Sequence, residues 1–412
     1  MNDRVPSAID RPPPDFEPLD PAFIDNPYPF YRHLREVAPV VKVAQGYWLL
    51  SRYDYVALVL RDQRRFCKDF AGDMMRRYGA DRFDEPAIAN ISRTMLVIDP
   101  PDHTRVRALV TQAFTARSVA DMRPRIRRIV DAQLDRVADQ GGMDVVADLA
   151  HRLPVLAICD LLGIPEAHRA QFLNAGHVSG RILDPVPLTR EEMDRANAGA
   201  LMGHVYFDQL CELRRREPGD DLTSALVQAE QAGDRLTTAE LRANIGLLFA
   251  AGHETTAGQI GNAVLALHRN PEQWQRLRTD PSLIPAAVEE LTRYDSAVQM
   301  TGRVTTEAVE LGGVAIPANE SVLALLGAAN RDPAQYRDPD RLDVGRQNVR
   351  PLSFGGGIHH CLGAQLARHE IELAITALVE RFPNLTLPEI DTVEWKQSFT
   401  LRGPRTLRAV WH

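Results

Sequence analysis

The pattern of apolar and polar residues is helical over most of the chain. Helices are predicted where apolar residues recur three or four positions apart between Gly or Pro residues. The predicted helices cover 29–37, 53–60, 119–140, 145–162, 190–216, 221–232, 237–267, 281–294 and 361–382. Thr237 or Thr238 is the expected N-cap of the long helix, with Glu240 in its first turn.

Short alternating runs predict a minor β portion. A hairpin is expected over 40–43 and 47–51 around Gly46, with further strands at 308–311, at 322–325 and in the tail. Residues 66–92 and 330–351 lack clear periodicity and are predicted to be irregular. Residues 1–20 are predicted to form a disordered or loosely docked arm, and 21–412 a single domain. The predicted fold class is therefore mainly α with a minor β portion.

Composition and charge narrow the classes of protein further. The 412 residues carry a net charge of -7, which argues against nucleic acid as a general partner. We see no signal peptide and no apolar run of membrane-spanning length, so a soluble, cytoplasmic protein is expected. Cys67, Cys159 and Cys211 are expected to be small buried side chains in a reducing compartment.

The fourth cysteine lies in a different setting, the run from Phe354 to Ala364 with sequence FGGGIHHCLGA. Cys361 stands between a glycine-rich turn and a predicted helix, and a helix N-terminus favours the thiolate form. A single thiolate suits the axial position of a haem better than a zinc or iron–sulfur site. The glycines do not form a dinucleotide site, because no strand–GxGxxG–helix unit surrounds them.

A second motif, AAGHETT at 250–256, lies in the middle of the long predicted helix. Glycine is costly there, and a Thr hydroxyl that bonds back to a carbonyl can bend or open the helix. Such an opening could hold a diatomic ligand, with Glu254 and Thr255 relaying protons. A kinked, buried helix with a satisfied Thr explains the motif equally well.

Three further groups of charged residues have no single functional interpretation when each is taken alone. Glu290 and Arg293 share a helix face, and Arg341 in the following segment could join them as a scaffold. His103 and Arg107, one turn apart, could grip carboxylates or form a solvated basic face. Arg303 begins a short predicted strand and could equally be a surface residue.

Together these residues resemble the cytochrome P450 family, especially its soluble bacterial members. The motifs FGxGxHxCxG, AGxET and ExxR occur in the family's order, and the similarity extends from the Asn26-Pro27-Tyr28-Pro29 opening to Arg402-Gly403-Pro404. The resemblance implies a helical triangular prism with small β-sheets, with haem between the long central helix and the helix of the cysteine ligand. One departure is Ala297, where many relatives have proline.

The resemblance also implies a role for each matched residue. Cys361 would be the axial ligand of haem b, with Phe354 packed near the thiolate and backbone N–H groups toward Gly363 tempering its charge. His103, Arg107, Arg303 and His359 would hold the propionates, Glu254 and Thr255 would deliver protons to dioxygen, and Ala251 and Gly252 would line the oxygen groove. Glu290, Arg293 and Arg341 would form a structural triad. Substrate contacts would come from 68–95, 172–188, Leu247, Ala250, Val298 and the 399–401 turn around Thr400.

The implied activity is that of a monooxygenase that hydroxylates or epoxidises an apolar small molecule, such as a product of secondary metabolism. The chain contains no flavin or iron–sulfur motif, so electrons would come from a ferredoxin with its reductase or from a flavodoxin, docked on a basic surface that includes Arg117 or Arg346. A monomer without membrane or nucleic-acid partners is expected. A peroxide-driven peroxygenase and a haem-based sensor are the alternatives, and neither needs the Glu254–Thr255 relay.

Overall fold

The computed structural model describes residues 15–173, 180–231 and 236–411. The α-helices are α1 Pro21–Asp25, α2 Tyr28–Val37, α3 Tyr53–Arg61, α4 Phe70–Tyr78, α5 Pro86–Ile91, α6 Asp102–Ala113, α7 Ala116–Asp135, α8 Arg152–Leu161, α9 Arg169–Leu173, α10 Arg190–Arg216, α11 Leu222–Gln231, α12 Thr238–Arg269, α13 Pro271–Thr279, α14 Ile284–Tyr294, α15 Leu326–Ala329 and α16 Ala364–Arg381. The strands are β1 Val40–Lys42, β2 Trp48–Leu50, β3 Phe66–Cys67, β4 Gly142–Asp144, β5 Met300–Thr305, β6 Val309–Leu311, β7 Val314–Ile316, β8 Ser321–Leu325 and β9 Arg408–Val410. A mainly helical fold with small sheets is thereby confirmed.

The chain divides into two compact units, each made of separate stretches of sequence. The first contains Met1–Lys68, Asn262–Cys361 and Thr392–Arg405, and the second contains Asp69–Gly261, Leu362–Asp391 and Thr406–His412. The prediction of one domain over 21–412 remains a prediction.

The first unit is organised by a five-stranded sheet in the order β1-β2-β8-β5-β3. Only the β2–β8 pair is parallel, and β6 and β7 form a separate antiparallel pair. Successive residues of β2 point to opposite faces, so Leu49 enters a core with Tyr31 and Leu34 of α2, whereas Leu50 enters one with Val56 of α3. The sheet is thus covered on both faces by short helices.

The second unit is mostly helical. In it α7 packs against α8 and α16, α10 packs against α5 and α11, and α6 packs against α11. The Arg123 guanidinium of α7 donates to both carboxylate oxygens of Glu372 on α16, at 2.6 and 2.9 Å. The β4 and β9 strands form its small antiparallel sheet.

Several predicted elements are confirmed, and others are corrected. The hairpin around Gly46, the helix at 190–216 and the irregular 330–351 segment are confirmed. The Thr237 hydroxyl accepts the Glu240 backbone N–H at 3.2 Å, which confirms the predicted cap. The prediction of an irregular 66–92 segment is wrong, because it contains β3, α4 and α5. The segment 145–162 is a π-helix over Val145–Ala150 followed by α8.

The structure describes residues 15–20 of the predicted arm, and some of these residues contact the rest of the first unit. Phe16 is buried, with its ring 5.2 Å from that of Phe399 and edge-on to it. Asp20 caps α1 by accepting the backbone N–H of Ala22 at 2.8 Å. Phe16 and Pro18 are thus buried, Asp15, Glu17 and Asp20 are exposed, and 1–14 lie outside the described residues. No helix among the described residues is long and apolar enough to cross a membrane.

Candidate active site

The cysteine loop of the first unit is built on glycines in left-handed conformations. Gly355 and Gly357 have φ of +70° and +63°. A Cβ on Gly357 would lie 2.2 Å from the carbonyl oxygen of Leu60 in α3, so no other residue fits there without a shift of the backbone. The loop closes when the Cys361 backbone N–H donates to the Phe354 carbonyl at 2.9 Å. These contacts leave Cys361 exposed.

The helix predicted to begin at Cys361 begins three residues later, at Ala364, with Gly363 as its N-cap. Cys361 thus belongs to the loop that precedes the helix. Cys159 and Cys211 contrast with it, because burial raises the pKa of each thiol to about 12 and keeps it protonated. Of the four cysteines, only Cys361 is exposed.

The acid–alcohol motif lies on α12, in the second unit. The Thr255 hydroxyl donates to the Ala251 carbonyl at 3.0 Å, and that of Thr256 donates to the Gly252 carbonyl at 3.4 Å. The expected back-bonding is therefore present, but α12 is continuous through the motif and does not open. Glu254 is buried and Ala251 is exposed. Leu247, Ala250, Ala251 and Glu254 have the spacing that places them on one helix face.

Gly252 has a packing role that the motif does not reveal. A Cβ at this position would lie 3.1 Å from the Ile158 side chain of α8, in the same unit. That separation is tighter than ordinary contact, so Gly252 lets α8 and α12 approach closely. This contact accounts for the glycine without an oxygen groove, whose assignment to Ala251 and Gly252 remains a prediction.

The four basic residues predicted to hold carboxylates are divided between the units. His103 and Arg107 lie one turn apart on α6 of the second unit, with His103 buried and Arg107 half-buried. In the first unit, Arg303 is buried on β5 and donates to the Thr301 hydroxyl at 3.1 Å, and His359 is half-buried in the 3-10 turn Gly357–His359. This donor set, with one exposed thiol, has the chemistry that haem requires.

Glu290 and Arg293 form a fully buried ion pair, as predicted, but the third arginine is not Arg341. The Arg293 guanidinium donates to the two Glu290 carboxylate oxygens at 2.6 and 2.8 Å. Arg346 Nε donates to Glu290 Oε1 at 3.1 Å, whereas Arg341 contributes only its backbone carbonyl. The prediction of Arg341 as the third side chain is wrong. Arg346 was also predicted as a residue of the docking surface for the electron donor. Its side chain binds Glu290 instead, so that prediction is corrected.

The sequence does not mark Arg346 as the partner of Glu290, because Arg341 and Arg346 both follow Glu290 in the same irregular segment. Nothing in their spacing separates them, and the path of the backbone decides which one reaches the carboxylate.

The predicted substrate residues of the first unit lie on a loop that backbone hydrogen bonds fix in place. Val298 bridges to Leu401, and the Gln299 N–H donates to the Thr400 carbonyl at 2.9 Å. The Arg402 N–H donates to the Ala297 carbonyl at 2.7 Å. Ala297 therefore occupies a defined path without the proline that the resemblance led us to expect.

The structure shows how part of the 68–95 segment is packed, and its role in substrate contact remains a prediction. Phe70, Met74 and Tyr78 of α4 are buried in a core with Leu188 and Met193. Its charges pair internally, for example Arg82 with Glu85 at 2.7 Å. Of the predicted 172–188 region, residues 174–179 lie outside the described residues.

The cytochrome P450 family model matches residues 39–406. Mycinamicin IV hydroxylase/epoxidase from Micromonospora griseorubida is 43% identical over 92% of this chain and 94% of that enzyme. 6-Deoxyerythronolide B hydroxylase from Saccharopolyspora erythraea is 42% identical over 91% and 94%. The structure of P450BioI in complex with an acyl carrier protein ligated to hexadec-9Z-enoic acid superposes with a TM-score of 0.88 at 36% identity, over 95% of this chain and 99% of that chain.

The fold and the thiol-bearing loop define a haem-dependent, oxygen-incorporating enzyme of the mainly helical class. The chain belongs to the cytochrome P450 family. It is a monooxygenase that uses haem and O2 and acts on a small molecule.

Proposed function

We propose that Cys361 supplies the thiolate ligand of haem b and that the enzyme hydroxylates or epoxidises a large, mostly apolar natural product. When bound, the haem supplies the iron centre at which dioxygen is activated. The observation that carries the substrate class is the identity of 42–43% with the 6-deoxyerythronolide B hydroxylase and the mycinamicin IV hydroxylase/epoxidase, over more than nine-tenths of each chain.

The chain's own residues would divide the remaining work. His103, Arg107, Arg303 and His359 bind the propionates through cationic or hydrogen-bonding donors. Phe354 packs beside the thiolate, and backbone N–H groups toward Gly363 temper its charge. Ala251 lines the oxygen groove with the backbone of Gly252, and Leu247, Ala250, Val298 and Thr400 contact the substrate.

Glu254 and Thr255 would deliver protons. The Thr255 hydroxyl donates to the Ala251 carbonyl, and its oxygen would hold a proton for transfer to the dioxygen substrate, while the Glu254 carboxyl would resupply that proton. This relay favours the electron-driven reaction over a peroxygenase or a sensor, neither of which needs it. A ferredoxin with its reductase or a flavodoxin supplies the electrons, with the highly exposed Arg117 in the docking surface. Four cysteines that form no disulfide fit a cytoplasmic setting.

Turnover of the haem-loaded protein tests this proposal. Macrolactones should displace the water on the iron, which is read as a change of spin state. With a surrogate ferredoxin and reductase they should yield a product labelled from 18O2. Product formation with peroxide but never with NADPH and the redox proteins would contradict the proposal.

Two pairs of variants test the residues. Cys361→His should abolish the thiolate signature of the ferrous–CO spectrum, and an unchanged spectrum would exclude Cys361 as ligand, whereas Cys159→Ser should keep the signature. Thr255→Ala should release peroxide and lower the product formed per NADPH. Thr256→Ala removes a similar back-bonded hydroxyl and should stay coupled. Equal coupling in both variants would remove Thr255 from the relay.

A further inference from the structure

One face of α10 is exposed along its whole length. A stripe of eight residues follows this face, with successive members separated alternately by four and by three positions. All eight residues are exposed. This α10 stripe consists of Glu191, Arg195, Ala198, Met202, Val205, Gln209, Glu212 and Arg216. Such spacing is the seam of a two-helix coiled coil. The buried residues of α10, such as Met193, Phe207 and Leu210, lie off the stripe.

The centre of the stripe is apolar. Met202 and Val205 have 69% and 60% of their surface exposed, and Leu201 beside them has 52%. Among the residues that the structure describes, only Met75 is another large apolar side chain with comparable exposure. An apolar centre between charged ends is the usual composition of a protein interface.

The charges of the stripe are complementary to themselves when a second α10 runs antiparallel to the first. With a two-fold axis between positions 203 and 204, Glu191 faces Arg216 of the second copy and Arg195 faces Glu212. In the middle, Met202 faces Val205 of the second copy and Ala198 faces Gln209. A parallel pair in register would instead place Glu191 against Glu191 and Arg195 against Arg195. The order of charges therefore selects the antiparallel arrangement.

Contacts within one copy do not oppose this pairing strongly. Arg195 pairs with Glu191 at 2.5 Å, and Glu212 pairs with Arg215, on the same exposed helix. Exposed pairs one turn apart contribute little, so these side chains can turn to a partner at small cost.

We propose that the α10 stripe is a two-fold interface between copies of this chain. The stripe itself has two acidic and two basic residues, so it carries no net charge to attract a lipid surface or an acidic carrier protein. The helix of 27 residues is about 40 Å long, and a single helix pair of this size belongs with small, reversible interfaces. This proposal replaces the sequence-based expectation of a monomer.

Sedimentation equilibrium of the haem-loaded full chain, from about 1 to about 200 µM at low salt, measures the association. A reversible dimer is expected. Arg195→Glu and Glu212→Arg should each raise the dissociation constant about tenfold or more, because each places like charges opposite one another twice. An equimolar mixture of the two variants should associate like the parent, since every facing pair is then opposite in charge. The double variant R195E/E212R should also recover.

Arg337→Glu is the matched control, because Arg337 is 95% exposed and lies outside α10. It should leave the dissociation constant unchanged, whereas Met202→Glu should abolish the dimer. A chain that stays monomeric over the whole range overturns the proposal, as does a mixture that fails to recover. A monomer that instead binds an acyl carrier protein or an anionic vesicle in a Met202-dependent way also overturns it.

Discussion

The two arginines of the irregular segment make different contacts, and this difference predicts different costs for their removal. Arg346 Nε donates to Glu290 Oε1 at 3.1 Å, and its terminal nitrogens donate to the carbonyls of Arg337, Asp338 and Arg341 at 2.6, 3.1 and 3.0 Å. The Arg341 side chain is exposed and makes no such contact with Glu290 among the described residues. We expect Arg346→Ala to destabilise the protein and Arg341→Ala to have little effect.

The magnitude follows from what Glu290 retains. Arg346→Ala removes one charge-assisted hydrogen bond from a carboxylate without exposed surface, which is worth about 1.5–3 kcal/mol. Glu290 keeps Arg293 and the Asp343 backbone N–H, at 3.0 Å, so its charge stays compensated. Arg293→Ala would leave that buried charge without its main partner and should cost about 3–5 kcal/mol. Arg341→Ala should stay within about 0.5 kcal/mol of the parent.

Urea unfolding of the haem-loaded protein, followed by far-ultraviolet circular dichroism, measures these differences. The expected order of destabilisation is Arg293→Ala, then Arg346→Ala, then Arg341→Ala. Arg346→Lys keeps the charge but loses the planar fork, so its cost should lie between those of the parent and Arg346→Ala. If Arg341→Ala cost as much as Arg346→Ala, the assignment of the third arginine would be refuted.

Three further predictions concern the cysteine loop and α16. Gly357→Ala should lose about 1–3 kcal/mol of stability and lower the haem content, because its φ is +63° and a Cβ there would meet the Leu60 carbonyl. Gly199→Ala on α10 is the control, since a Cβ there has nothing within 4 Å, and it should lose neither stability nor haem. Burial raises the pKa of Glu370 well above its usual range, so the folded state keeps a proton that the unfolded state loses. The contribution of Glu370 to the free energy of unfolding should then fall as the pH rises above about 4.5, by up to about 1.4 kcal/mol per pH unit. Glu370→Gln should lack that slope in urea titrations at several pH values. An identical slope in the parent and the variant would contradict the prediction. Hydrogen bonds from Arg123 lower the pKa of Glu372, so Glu372→Gln should instead lose stability at neutral pH, with less loss as the pH falls.

The success of the sequence analysis depended on whether local signals agreed with packing. At α10, Thr189 and Glu192 form a capping box and three arginines end the helix, so the bounds 190–216 were predictable. At α4, the N-cap Asp69 has φ of +35° and a glycine lies in the first turn, so local signals are weak. That helix is stabilised by burying Phe70, Met74 and Tyr78, which only the tertiary structure supplies.

The same distinction applies within the candidate site. A motif states which residue types occur, but two physical causes can require the same type. Gly357 is required by its backbone conformation and by the Leu60 carbonyl, both properties of the cysteine loop. Gly252 has an ordinary helical conformation and is required by its distance from Ile158. Alanine at 252 would gain helix propensity but press on α8, so its effect depends on whether Ile158 can shift. Contacts, and not the motif alone, therefore determine what each glycine contributes.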